Sequence, residues 1–382
     1  MSAGVTVGMS EMPLHRPIPP ADSIRWIRQV LEGVFEADDI TIGAMGGRGI
    51  RIRGHFLVEP HQAYERLAPL FRQRGHTVLF RHEDDDGTVI LVMEGVIEPT
   101  PNNRWLPIVL AITTVISMLF TYTFLFEGAE PTWAHLGRAL PRAAQFTASL
   151  LAILVAHEMG HYITARRFGV AVTPPYLIPL PFSPFGTMGA VIRMKDIPPS
   201  RRAMLLTGAA GPLAGLIVAI PLLLLGLILS EVTPLPTEGG YLAEGNSILY
   251  MALKYLVFGR PLPLGGEDVL LHPVAFAGWA GLLVTSLNLI PAGQLDGGHI
   301  AYALLGWRAR YLTRVIIGIV AVLGIFWQGW LLWAVLIFFL SRVQTGPLDD
   351  ISPLSRGEIA LAVVLLVLFV LTFTPFPLRL IP

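Results

Sequence analysis

Long uncharged stretches decide what this chain can fold into. Residues 105–126, 203–230, 273–295 and 359–378 contain no Lys, Arg, Asp or Glu. Each reaches the roughly 20 apolar residues that a helix needs to cross a bilayer core. Residues 143–165 form a fifth such run, interrupted only by His157, Glu158 and His161. Residues 315–341 are long for one helix and short for two. Gly324, Gly329 and the cluster "WQGWLLW" point to a turn at the membrane interface, where Trp is favoured, so we read two short spans there. The expected fold is a polytopic α-helical membrane protein of about six to seven transmembrane helices.

Composition leads to the same class. Charged residues make up 14% of the chain and hydrophobic residues 53%, with a mean hydropathy of +0.61. An ordinary soluble domain carries about 25% charged residues. The formal net charge is zero, which gives no electrostatic basis for binding nucleic acid. Cysteine is absent, so disulfides and thiolate ligands are excluded and any metal must be held by imidazoles and carboxylates.

The polar residues are concentrated at the start. Residues 1–20 lack an apolar core and are expected to be a disordered N-terminus rather than a signal peptide. Residues 21–98 read as a small soluble α/β domain. "DSIRWIRQVLEGVF" has helical spacing, "GIRIRGHFLV" alternates like a strand, and "HQAYERLAPLFRQRG" reads as a helix ending at Gly75. "HTVLFRHE" and "GTVILVMEGVI" read as two strands joined through "DDDG". No ligand cluster stands out in this domain, and a regulatory or scaffolding role is expected. "EPTPNNR" serves as the linker to a membrane core over 99–342, followed by a C-terminal loop and final helix over 343–382.

Basic residues near helix ends set the orientation. Arg166, Arg167, Arg193, Lys195, Arg201 and Arg202 lie between the second and third spans, and Arg308, Arg310 and Arg314 follow the fourth. Segment 231–268 instead carries Glu231, Glu238, Glu244, Glu267 and Asp268 against Lys254 and Arg260. The basic loops and the N-terminal domain are therefore expected to be cytoplasmic, with 231–268 on the far side. Within that loop "NSILYMALKYLVFG" reads as an amphipathic interfacial helix. Residues 172–194, "VTPPYLIPLPFSPFGTMGAVIRM", carry five prolines and fit no helix. Irregular backbone at membrane depth must pack against protein or line a wet cavity. A re-entrant loop is expected, with "GAVIRM" extended.

The interruption at His157 carries the chemistry. His157 and His161 are four residues apart, so one helix face presents both imidazoles to one metal. Glu158 sits beside the first ligand and can reach water without occupying the metal. This is the His-Glu-x-x-His arrangement of zinc hydrolases. Catalytic zinc takes three protein ligands, keeps a fourth position for water and lowers the water's pKa to about 7. Glu158 would take the proton and pass it to the leaving amine. Ionisable residues cost about 2.5–3.5 kcal/mol each at the centre of a membrane helix, which argues against filler; a structural polar cluster between helices is the alternative reading.

The third ligand is sought in "NLIPAGQLDGGH", residues 288–299. Asp296 ends an uncharged run, and Gly297 and Gly298 allow a sharp turn after it. Pro291 and these glycines permit a broken helix end that dips inward. His299 is the rival ligand. Asn288 reads either as a hydrogen-bond donor to a tetrahedral oxyanion or as a helix-packing amide.

"HEMGH" in one membrane helix, followed by "NLIPAGQLDGG" in a later one, resembles the site-2 protease family of intramembrane zinc metalloproteases. "FGTMGAVIRMKDIPPSRRAMLLTGAAGPLAGL", residues 185–216, is similar to the plastid and bacterial branch that includes the ethylene-dependent gravitropism-deficient and yellow-green-like proteases. The resemblance is strong over 143–300. It implies that His157, His161 and Asp296 bind Zn2+, that Glu158 is the general base, and that the extended segment at 186–194 pairs with an unwound substrate by strand addition. Two departures stand out. Segment 231–268 is too short for the PDZ domain of many relatives, and "GPLAG" has Gly215 where many members have Asn.

The expected function is an intramembrane zinc endopeptidase cutting a transmembrane segment of a protein substrate near the cytoplasmic side of the lipid bilayer. A metal-ion transporter is one alternative, because His and carboxylate clusters in spans also mark ion pathways. That role needs several sites along a path, and the sequence has one dense cluster. A catalytically inactive membrane chaperone or adaptor is the other, and the complete His-Glu-His and Asp set argues against it. No sequence feature sets an oligomeric state.

Overall fold

The computed structural model describes residues 20–44, 49–83, 87–96, 101, 103–128, 130, 132–236, 241–342 and 346–381, the first four without their side chains. Residues 1–19, the Asp84–Asp86 part of the expected "DDDG" turn, and most of the expected linker lie outside the described residues. The chain divides into two units, Met1–Val96 and Ile97–Pro382.

The first unit runs α1 (Pro20–Leu31), β1 (Phe35–Gly43), β2 (Gly49–Phe56), α2 (Pro60–Gln73), β3 (His76–His82) and β4 (Thr88–Glu94). The strands form an antiparallel sheet of order β1-β2-β4-β3. Ile27, Leu67 and Phe71 of the helices are buried, as are Ile52, Phe80 and Ile90 of the sheet. The sequence reading missed β1. "FEADDITIG" is charged and broken by a bulge between Ala37 and Asp39, features common on edge strands, which must resist pairing with other chains.

The second unit is a polytopic α-helical membrane protein. Among the described residues three helices are long and apolar enough to cross a bilayer. The first, α3 (Trp105–Phe120), continues through a π-helical turn over Thr121–Phe126; α4 (Trp133–Arg167) and α5 (Arg201–Ile228) follow. Shorter apolar helices include α6 (Ile248–Phe258), α7 (Pro273–Asn288) and α10 (Gly329–Ser341). The remaining helices are α8 (Asp296–Leu305), α9 (Ala309–Leu323) and α11 (Arg356–Thr372). The core joins Phe146, Leu150 and Ile153 of α4, Leu216, Ala219 and Leu223 of α5, and Trp279 and Leu282 of α7. Small residues let these backbones approach. A Cβ on Gly160 would lie 2.4 Å from the Ala210 carbonyl oxygen.

Several expected boundaries differ. The expected 273–295 run breaks after Asn288, and Asp296 opens a new helix instead of ending the old one. The run lacks charges throughout, so only Pro291 and Gly293 signal the break. α4 begins ten residues before the expected 143, as its bounds at Trp133 show. Residues 315–341 do hold two helices as expected, though α9 already begins at Ala309.

The Pro-rich segment forms a hairpin. β5 (Tyr176–Pro179) pairs antiparallel with β6 (Thr187–Val191). The Ser117 hydroxyl donates to the Gly186 carbonyl at 2.6 Å, and the Thr121 hydroxyl donates to the Pro181 carbonyl at 2.8 Å, so α3 clamps the hairpin turn. Segment 231–270 folds into β7 (Glu231–Pro234), β8 (Tyr241–Glu244), α6 and β9 (Glu267–Leu270). β7 pairs with β9, and β8 pairs with β10 (Leu378–Ile381) at the chain end. α6 is helical as expected, but its one charge does not face outward. Lys254 is 0% exposed, 2.8 Å from Asp268 and 3.5 Å from Glu244. A buried ammonium must be paired, and two carboxylates from neighbouring strands draw it inward.

Candidate metal centre

His157, Glu158 and His161 lie well inside α4, with 3%, 6% and 6% exposure. Their four-residue spacing turns both imidazoles towards α5 and α8. The Nε2 atoms of the two histidines are 3.1 Å apart, and each is 3.2 Å from Asp296 Oδ2. Among the described residues, these three side chains form the one group whose ligand atoms converge within 4.8 Å.

The distances suit a metal. Four-coordinate zinc with bonds of 2.0–2.1 Å places neighbouring ligand atoms about 3.3 Å apart. The tautomer suits it as well. His161 Nδ1–H donates to the Thr207 carbonyl at 2.7 Å, which leaves the Nε2 lone pair facing the other two groups. The cluster fits a zinc site.

Sequence-local features build this geometry. α5 passes His161 with a glycine, because a Cβ on Gly211 would lie 2.0 Å from His161 Nε2. A Cβ on Gly215, the position that ends "GPLAG", would sit 3.2 Å from His157 Nδ1. Gly208 faces Asp296 and His299 in the same stripe. α8 is wedged against the preceding loop through its own glycines. A Cβ on Gly297 would lie 2.1 Å from the Leu289 carbonyl oxygen, and one on Gly298 would lie 2.3 Å from that of Gly293. Asp296 thereby turns inward at the helix start.

The remaining expected residues fall around this centre. Asn288, the last residue of α7, has its Nδ2 3.4 Å from His157 Nε2. The Glu158 carboxylate accepts a hydrogen bond from the backbone N–H of Ile192, immediately after β6. His299 lies outside the three-residue cluster and bonds to the Gln294 backbone. Sequence reasoning missed Thr207 and Gly211. The signal was the small-residue stripe Gly208, Gly211, Gly215 in an apolar helix, which marks close helix approach but not which side chain fills the space.

Residues 145–327 match Peptidase family M50. The chain is 29% identical over 345 residues to the probable zinc metalloprotease EGY2, chloroplastic, of Oryza sativa subsp. indica, covering 86% of this chain and 62% of that protein. It is 29% identical to the probable zinc metalloprotease EGY2, chloroplastic, of Arabidopsis thaliana, covering 95% of this chain and 68% of that one. It is 31% identical to the probable zinc metalloprotease EGY1, chloroplastic, of Arabidopsis thaliana, over 64% of this chain and 44% of that one. The chain thus spans about three fifths of the rice relative, 62% of its length. No solved structure matches it.

Proposed function

We propose that the M50 peptidase domain carried by this chain acts as an intramembrane zinc endopeptidase. The observation that carries the reading is the convergence of His157, His161 and Asp296 beside a carboxylate, Glu158, that is not a member of the metal group. His157, His161 and Asp296 would hold the metal. Zinc in such a site supplies Lewis-acid activation of water and of the scissile carbonyl. Glu158 accepts a proton from the attacking water and delivers it to the leaving amide nitrogen. Ile192 N–H keeps the Glu158 carboxylate oriented. Asn288 Nδ2, beside the histidines, donates to the oxygen on which negative charge develops.

The substrate is a transmembrane segment of another protein, unwound locally so that its peptide bond is open to attack. The β5–β6 hairpin offers extended backbone next to Glu158 to which freed donors and acceptors can pair. α7, the α9–α10 pair and α11 contribute the further spans, giving six to seven in all as α9 and α10 count as one or two, with the hairpin as a re-entrant element. The cluster of Arg166, Arg167, Arg201, Arg202, Arg308, Arg310 and Arg314 supports a cytoplasmic location for their loops and for the N-terminal domain over 21–98. That domain serves regulation, the core over 99–342 carries the chemistry, and 343–382 closes the bundle.

The test is cleavage of a transmembrane reporter in proteoliposomes. Activity should disappear with a zinc chelator and return when zinc is restored. Persistent cleavage in metal-free protein would overturn the reading. Metal flux through the same vesicles without cleavage would favour a transporter.

A further inference from the structure

One carboxylate outside the metal group touches both α5 and α8. Asp350 lies in the segment between α10 and α11 and is 8% exposed. Its Oδ1 accepts from Arg201 Nε at 2.8 Å, and its Oδ2 accepts from the Tyr302 hydroxyl at 3.0 Å. Arg201 is the first residue of α5, the helix whose Thr207 orients His161 and whose Gly211 makes room for it. Tyr302 is on α8, which begins at Asp296.

The segment that carries Asp350 is itself fixed. Leu348 N–H and Asp349 N–H donate to the Pro198 and Pro199 carbonyls, both at 2.9 Å. Asp349, 1% exposed, accepts from the backbone N–H groups of Ile351 and Ser352 at 3.0 and 3.1 Å. A Cβ on Gly346 would lie 2.2 Å from the Tyr302 hydroxyl, and one on Gly306, after α8, would lie 2.7 Å from Arg201 Nη2. The strap, the start of α5 and the end of α8 therefore fit together without slack.

α8 has only ten residues, and Ile300 and Ala303 on it pack with Leu205 and Ala209 of α5 and Ala362 and Leu365 of α11. Its first turn is wedged by Gly297 and Gly298, and its second half is held by Asp350. Asp296 and Tyr302 thus lie towards opposite ends of one short helix, and the hold on one is felt at the other. We propose that Asp350 is a positioning residue. Through Arg201 and Tyr302 it locks α5 and α8 in register and so sets the separation of Asp296 from His161. This rests on the reading of Asp296 as a metal ligand. Outer partners of metal ligands change affinity by about 10–100-fold when lost, and the indirect link here places the expected effect near the lower end.

The test uses the full chain in detergent with cobalt in place of zinc, because the visible bands of cobalt report ligand number and geometry. Wild type, Asp296→Asn, Asp350→Asn, Tyr302→Phe and Glu358→Gln are titrated. Glu358→Gln breaks the Arg202–Glu358 ion pair between α5 and α11, which does not involve α8. We expect wild type to show tetrahedral bands that Asp296→Asn abolishes. Asp350→Asn and Tyr302→Phe should weaken cobalt affinity about tenfold and alter the bands, while Glu358→Gln leaves both unchanged. If Asp296→Asn binds cobalt like wild type, the ligand reading fails and the inference falls with it. If only the ligand variant changes, and Tyr302→Phe, which removes a single hydroxyl, matches wild type in bands and affinity, Asp350 does not position the site.

Discussion

A Cβ placed on Gly211 would lie 2.0 Å from Nε2 of His161. The ring therefore occupies the space that any larger residue on α5 would need. Gly211→Ala must displace the imidazole or part the two helices. We expect zinc content of the purified protein to fall at least about tenfold. Gly318→Ala on α9, where a Cβ meets nothing within 4 Å, should leave zinc content unchanged.

Asn288 stands 3.4 Å from His157 and ends α7. If it donates to the developing oxyanion, Asn288→Ala lowers kcat by about 10²-fold with KM little changed and zinc retained. Metal analysis and steady-state cleavage of a transmembrane reporter check this. A fall in zinc content without a change in kcat per bound zinc would assign Asn288 to metal retention instead.

Gly186 sits in the left-handed region at φ 72°, and a Cβ there would be 2.5 Å from Met118 Cα. Both backbones are fixed at this point by the Ser117 hydrogen bond to the Gly186 carbonyl. Gly186→Ala should push the hairpin off α3, weaken amide-exchange protection over 176–191 and reduce cleavage, with zinc still bound. The loss follows because the same hairpin supplies the Ile192 N–H that holds Glu158.

The Lys254 cluster should govern the stability of segment 231–270. Lys254→Met leaves Glu244 and Asp268 buried without a cation and should cost about 3–5 kcal/mol. pH adds a second test. Burial holds the Glu244 carboxyl above its ordinary 4.5, since Lys254 lies nearer Asp268. A raised pKa means that the contribution of this group is full below 4.5 and is lost as pH rises through the folded value. Tm measured from pH 4 upward should therefore fall more steeply in wild type than in Glu244→Gln. Equal slopes would show that Glu244 is ionised throughout.

Legibility in the sequence followed the range of the interaction. His157, Glu158 and His161 are adjacent on one helix, so spacing alone declared them. The inward turn of Asp296 was readable because Gly297 and Gly298 follow it directly. The end of α7 at Asn288 was harder, since no charge marks it in an unbroken apolar stretch. The burial of Lys254 was not legible in the amphipathic pattern of its helix, because its partners lie on separate strands, at 244 and 268. Asp350 was invisible for the same reason. Its partner Arg201 is 149 positions away, and nothing local announces that a loop acid returns to the start of an earlier helix.

In the proposed reaction Glu158 moves the proton while two imidazoles and Asp296 hold the metal. Glu158→Gln separates those roles with one measurement, cleavage rate per bound zinc on a transmembrane substrate in proteoliposomes. The variant should hold one zinc per chain, as in wild type, with cleavage reduced to background. Cleavage at the wild-type rate by the zinc-loaded variant would show that Glu158 is not the base.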